Sequence, residues 1–438
     1  MTTSLAAARF PSRSGVRVPS LAWSEHLYLA CIAVAALLTV SRFIWPLERI
    51  PYFKHLPWLA TLPVLALTLA GARLATRPDA SRPVPGAFAV AWPLGLLALL
   101  VVGGSLYARL VAGLQSTFLN MGLYMSLVFA AATMVSHSAA PERLLRAYTR
   151  ILLLAALAMA LGLMVYFRRR EVYHEEIFLV IPLGVYCFLA WRGAAARWGA
   201  LAFFLALALL SAKNTSYLVA LMTMGYLGLV LGLPRAAAAP PLRRLWGYYL
   251  AFVVLALVAA VVAYLLYFRD VYLPSGNVAY RSHTYGLAWQ KFLASPGWGT
   301  LFAEESVKKF TLYSIGIARN ILPTHSDIMD LLAHGGLLAV GLWALGLARI
   351  AAYAWRRLLA PRWLGHPWAA HGHAYAMVSL AAVATYAFNP LMLQPGMAYL
   401  LWTTLGFLLG AALRRDGTTE EEACDFTPSG KMARRQRS

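Results

Sequence analysis

Residues Arg269–Gly335 read RDVYLPSGNVAYRSHTYGLAWQKFLASPGWGTLFAEESVKKFTLYSIGIARNILPTHSDIMDLLAHG. This is the only long segment that is neither an apolar helix nor a terminal tail. It holds Arg281, His283, Lys291, the break Ser295-Pro296-Gly297-Trp298-Gly299, the lysines Lys308 and Lys309, and the run Thr324-His325-Ser326-Asp327. Before it stands WGYYLAFVVLALVAAVVAYLLY, Trp246–Tyr267, and after it another apolar helix starts at Asp327. Two runs able to cross ~30 Å of hydrocarbon, with polar chain between them, mark a loop outside a membrane. The helices are then a membrane scaffold, and this loop carries the chemistry.

The composition agrees. Of 438 residues, 61% are hydrophobic and 13% charged, about half the charged share of a soluble protein. The fold class is an all-α polytopic membrane protein. About 12 transmembrane helices are predicted, at 27–45, 57–76, 88–108, 116–135, 146–167, 176–191, 198–212, 215–233, 246–267, 327–348, 373–391 and 397–413. The organisation is a cytoplasmic segment 1–26, helices 1–9 over 27–268, a loop with amphipathic helices over 269–326 that faces the periplasm or exterior, helices 10–12 over 327–413, and a disordered cytoplasmic tail 414–438. The first apolar run lacks a small-residue cleavage site and is read as a span. Cys31 and Cys187 lie in apolar runs and are read as core residues, and Cys424 lies in the tail. No CxxC or His-x-x-His metal spacing occurs.

Net charge is +21. The basic residues are spread over many short loops, which sets nucleic acid aside as a partner. With the N-terminus in the cytoplasm, roughly two-thirds of the 38 Lys and Arg residues fall on cytoplasmic segments. Both termini are then cytoplasmic and the long loop faces outward. The remaining cations are exceptions to this rule. Arg168, Arg169 and Arg170 end the fifth span, where Glu171, Glu175 and Glu176 offer salt-bridge partners. Lys213 sits in the tight turn after the seventh span, and Arg269, Arg281, Lys291, Lys308, Lys309 and Arg319 lie in the long loop. A cation at a membrane boundary is a candidate for function.

Within the loop, Arg281–Leu293 reads as an amphipathic helix. Tyr285, Ala288, Trp289 and Phe292 form its apolar face, suited to the bilayer surface, and Ser295-Pro296-Gly297 stops it. Thr324-x-x-Asp327 fits a capping box, which puts His325 in the first turn of the next helix. There the helix dipole disfavours imidazolium, and a neutral imidazole can act as a general base. The bland alternative is a solvated loop histidine. Asp327, Asp330 and His334 form a polar stripe, toward which the site should open. Outer cations and one base suit a lipid-linked phosphate or diphosphate: cations hold the leaving group and the base activates an acceptor hydroxyl.

The run His325-Ser326-x-x-x-x-Leu331-Leu332-x-x-Gly335-Gly336-Leu337-Leu338 resembles the "His-Asn…Leu…Gly-x-x-Gly" element of the O-antigen ligase and polymerase superfamily. Arg281, followed by Trp289, Phe292 and Ser295-Pro296-x-x-Gly299, resembles that family's "Arg…Trp…hPxxGxG" element. The layout, with one large loop between the ninth and tenth spans, is also similar. There are departures. The family often has Ser-Arg-Gly/Thr at the seventh turn, where this chain has Ser211-Ala212-Lys213-Asn214-Thr215, and Ser326 stands in place of Asn. Lys supplies charge but not a bidentate fork.

The resemblance implies a glycosyltransferase of the bacterial inner membrane, working on the periplasmic side without metal, cofactor or nucleotide sugar. Its donor would be an undecaprenyl-diphosphate-linked glycan and its acceptor a lipid A–core sugar. For a polymerase the acceptor is another lipid-linked repeat, and for an oligosaccharyltransferase a protein Ser or Thr. His325, Arg281 and Lys213 would be catalytic. Arg168, Arg169, Arg170, His283, Lys291, Asp327 and Asp330 would bind substrate. A transporter or flippase of an anionic lipid is the rival class, which calls for broken helices.

Overall fold

The structure is a computed structural model that describes residues 21–41, 56–63, 86–113, 118–166, 177–211, 214–238, 277–303, 326–360, 363–364, 366–386 and 395–416. The expected ninth span, 246–267, lies outside the described residues, as do most of the second and all of 304–325.

The described chain is helical. The helices are α1 (Trp23–Ser41), α2 (Ala87–Leu110), α3 (Phe118–Met125), α4 (Leu127–His137), α5 (Pro141–Tyr166), α6 (Ile177–Val180), α7 (Leu183–Ala190), α8 (Ala194–Ser211), α9 (Asn214–Ala238), α10 (Asn277–Ala294), α11 (Asp327–Ala354), α12 (Ala369–Tyr386) and α13 (Pro395–Asp416). A π-helical turn, Trp355–Leu359, continues α11. Among the described residues eight helices, with α3 and α4 taken together as one, are long and apolar enough to cross a membrane.

Several spans expected to be continuous are interrupted. The sixth divides at Ile181–Pro182 into α6 and α7, whereas the fourth continues from α3 into α4 through Ser126, which keeps helical dihedrals (φ −61°, ψ −21°), as one crossing helix. The eleventh starts four residues early, at Ala369. Both free cysteines among the described residues, Cys31 and Cys187, are buried as expected.

The core centres on α13, whose residues Gly396–Leu413 are all buried. Its closest neighbour is α4. The contact is made by Gly406 and Gly410, spaced as in G-x-x-x-G, which let two backbones approach. A Cβ on Gly406 would lie 2.5 Å from Ala131 Cβ, and one on Gly410 2.7 Å from Val135 Cβ. Buried hydroxyls and imidazoles tie further helices to this centre. Thr149 Oγ1 is 2.8 Å from His371 Nδ1 and 2.7 Å from the Tyr375 hydroxyl, and Thr61 Oγ1 is 2.7 Å from the Tyr399 hydroxyl.

A second contact pairs α2 with α11, antiparallel. Pro93 has no N–H, so the carbonyl of Ala89 loses its helical donor, and Ala91 leaves helical geometry at φ −102°, ψ 18°. Arg349 repairs the break. Its Nε donates to Val90 O at 2.8 Å and its Nη2 to Ala89 O at 3.0 Å. Arg349, one of the basic residues that the charge count assigns to the cytoplasmic side, thus has a structural task.

Candidate active site

Helix α10 forms over Asn277–Ala294, four residues longer at its start than expected. Its apolar arc is only partly packed against protein. Thr284, Ala288 and Phe292, at i, i+4 and i+8, are buried, and α10 packs on α11. Trp289 and Leu293 point away and are about half exposed. Tyr285, Ala288, Trp289 and Phe292 share one arc of the helix, with the Trp289 and Phe292 rings 5.1 Å apart; the Ala288–Phe292 edge of that arc meets protein and the Trp289 edge is exposed. Lys291 is half-buried and its Nζ is enclosed.

The helix stops where Ser295-Pro296-Gly297 predicts. The turn that follows packs against α11, which is broken at Gly336 (φ 59°, ψ −161°). A broken helix leaves N–H groups free on one side and carbonyls on the other. The turn 296–302 supplies partners for both. Leu337 N donates to Pro296 O at 2.8 Å and Leu338 N to Gly297 O at 2.9 Å. In return Thr300 N and Phe302 N donate to His334 O at 3.0 and 3.2 Å. Only glycine fits the junction. A Cβ on Gly336 would meet Trp298 N at 2.6 Å, and one on Gly299 would meet His334 C at 2.6 Å. Phe302 is buried, its ring 5.4 Å from Phe118, and a Cβ on Gly335 would strike it at 2.8 Å. Leu301 and Phe302 hold positive φ, 50° and 62°, at a cost of about 1–2 kcal/mol each that the clamp must offset.

The first half of α11, Asp327–Gly335, starts on Ser326. Ser326 (φ −156°, ψ 112°) accepts a hydrogen bond from Met329 N at 3.2 Å and donates to Tyr386 O at 3.3 Å. This corrects the expected capping box. The cap is Ser326, not Thr324, so His325 precedes the helix rather than lying in its first turn. Asp327 and Asp330 occupy that turn, where the dipole favours carboxylates.

The polar stripe faces protein. Asp327, Asp330 and His334 are 1%, 3% and 4% exposed, and His334 lies 4.5 Å from the Phe118 ring. The opening expected at this stripe is not found at these three side chains. They are enclosed by the bundle, because the half-helix packs inward from the break.

Of the sequence-predicted site residues, the structure places Lys291, Asp327 and Asp330 in one unit, α10–turn–α11. Arg281 and His283 lie on α10 but their side chains are outside the described residues, as are His325, Lys213, Arg168, Arg169 and Arg170. The turn holding Lys213 is bounded by α8 and α9, and Ser211 Oγ donates to Ser216 Oγ across it. Among the described residues no group of three or more His, Cys, Asp or Glu could hold a metal. Sequence reasoning missed Thr300, whose N–H closes the clamp, although the Gly335-Gly336 doublet inside a span signalled a break.

Chemically, the unit registers a cation-bearing helix against a helix start that carries two carboxylates and follows a histidine. No protein-family model matches this chain, and no curated protein matches it.

Proposed function

We propose that this chain is an inverting glycosyltransferase of the O-antigen ligase type. It would transfer O-antigen polysaccharide from undecaprenyl diphosphate to a lipid A–core sugar, on the periplasmic side of the bacterial inner membrane. The observation that supports this most is the clamp. The two segments that carry the resemblance, Arg281 to Gly299 and His325 to Leu338, meet through backbone hydrogen bonds between 296–302 and 334–338. A transfer between two bulky lipid substrates needs such fixed geometry.

In this reading Arg281 and Lys213 hold the diphosphate, and Arg168, Arg169, Arg170, His283 and Lys291 gather the anionic headgroups. His325 takes the proton of the acceptor hydroxyl. The acceptor oxygen forms a bond to the sugar anomeric carbon with inversion. The bond from that carbon to the diphosphate oxygen breaks, and undecaprenyl diphosphate leaves with the electron pair. Asp327 and Asp330, read from the sequence as substrate-binding, are enclosed in the first turn of α11, just after His325 in the chain. No metal is required in this scheme. A polymerase or a protein O-oligosaccharyltransferase would use the same chemistry on another acceptor.

A second reading, a flippase for a lipid-linked glycan, draws on the broken helices at Gly336 and at Ile181–Pro182. In transporters such breaks leave helix ends free to hold substrate or ions. At Gly336 the ends are filled by the chain itself, which favours the transferase.

The purified chain in vesicles, given lipid-linked glycan and rough lipopolysaccharide in excess chelator, is expected to form glycosylated lipopolysaccharide. Movement of donor across the bilayer with no new covalent product overturns the transferase and supports the flippase.

A further inference from the structure

The turn 296–303 has a position that the glycosyl-transfer reading does not use. Helix α2 runs Ala87–Leu110, about 36 Å at ~1.5 Å per residue, enough to cross the hydrocarbon core. Its paired contacts with α11 and the turn give a ruler. Val90 meets Arg349, Leu94 meets Gly346, and Gly104 meets Leu301, where a Cβ would lie 1.8 Å from the carbonyl oxygen. Gly104 stands about 9 Å short of Leu110 along the axis. The turn therefore lies beside the last third of a membrane-crossing helix, not beyond its end.

Chain that is not helical can sit at that depth only if its backbone groups are bonded. Those of 296, 297, 300 and 302 are bonded, to 334, 337 and 338. Outward it shows apolar side chains: Trp298 is 63% exposed, and Leu301, Leu337 and Leu338 are exposed with it. Between the turn and α2 runs a groove lined by Leu99, Leu100, Gly103, Gly104, Tyr107, Leu301 and Ala303. Its floor is the glycine pair, and a Cβ on Gly103 would meet nothing within 4 Å. It is continuous with the exposed Leu96, Leu99, Leu106 and Tyr107 of α2.

We propose that residues 296–303 are a turn immersed in the leaflet remote from Arg349, and that the groove between this turn and α2 holds one hydrocarbon chain of a bilayer phospholipid. The apolar lining recognises the chain and nothing of a headgroup. The glycine floor gives it depth, and the clamp at Gly336 keeps the wall in place. This does not rest on the glycosyl-transfer reading.

The test uses the full chain with Cys31, Cys187 and Cys424 replaced by Ser, in phosphatidylcholine–phosphatidylglycerol vesicles. A nitroxide is attached to Trp298→Cys and, separately, to Leu301→Cys. Dissolved oxygen is expected to relax both labels several-fold more than a water-soluble nickel chelate does. Greater access to the chelate places the turn in water and overturns immersion. Protection from both reagents assigns the face to protein contact and overturns it equally. For the groove, a fluorophore on Leu301→Cys is quenched by phosphatidylcholine carrying a nitroxide on its acyl chain. Adding Gly103→Trp fills the groove and is expected to cut that quenching at least two-fold, with oxygen access at Trp298→Cys unchanged. Unchanged quenching removes the chain from the groove.

Discussion

Two regions of this molecule use glycine in opposite ways. In the inner bundle Gly406 and Gly410 keep α13 a regular helix and let α4 come close, so the contact is made by side chains and packed surface. In the α10–turn–α11 unit Gly335, Gly336 and Gly299 break regular structure, and the contact is made by backbone N–H and carbonyl groups. The first kind of contact tolerates small shifts of depth or angle. The second fixes register atom by atom. The difference gives the bundle close side-chain packing and the α10–turn–α11 unit a fixed backbone register.

Substitutions should separate the two. The largest effect is expected from Gly336→Val. A β-branched residue at φ 59° is strained and its Cβ meets Trp298 N at 2.6 Å. The clamp should open, lowering transfer at least ~100-fold while the melting temperature of the bundle moves little. Next comes Gly406→Leu, which overpacks α13 against Val128 and Ala131 and should cost ~1–3 kcal/mol. Its signature is a lower melting temperature with turnover per folded molecule retained. Arg349→Met leaves Ala89 O and Val90 O without their donor and should cost about 1 kcal/mol, read as a smaller melting shift. Gly103→Ala meets open space and should stay within about 0.5 kcal/mol of wild type. Equal loss of melting and transfer in both glycine variants would erase the distinction.

Much of the scaffold was legible because apolar runs of span length allow few readings. Spans 1, 3, 4, 5, 7, 8, 10 and 12 overlap helices long enough to cross. The breaks were harder. Pro182 announces its interruption. Gly335-Gly336 stood in the quoted motif, but its φ depends on a partner turn more than 30 residues earlier, which periodicity does not encode. The same holds for α10. Its pattern shows an apolar arc and not which part of that arc meets α11. The cap at Ser326 rather than Thr324 was a choice between two adequate caps, and Tyr386, distant in sequence, stabilises the one adopted. Arg349 read as topology because its carbonyl partners exist only once Pro93 has kinked α2.

The assignment of chemistry to the α10–turn–α11 unit turns on His325. Purified His325→Ala, compared with the unaltered chain in vesicles holding lipid-linked glycan, rough lipopolysaccharide and excess chelator, gives the decisive measurement. The predicted result is loss of glycosylated lipopolysaccharide with an unchanged melting curve. Product formation near the level of the unaltered chain would contradict it.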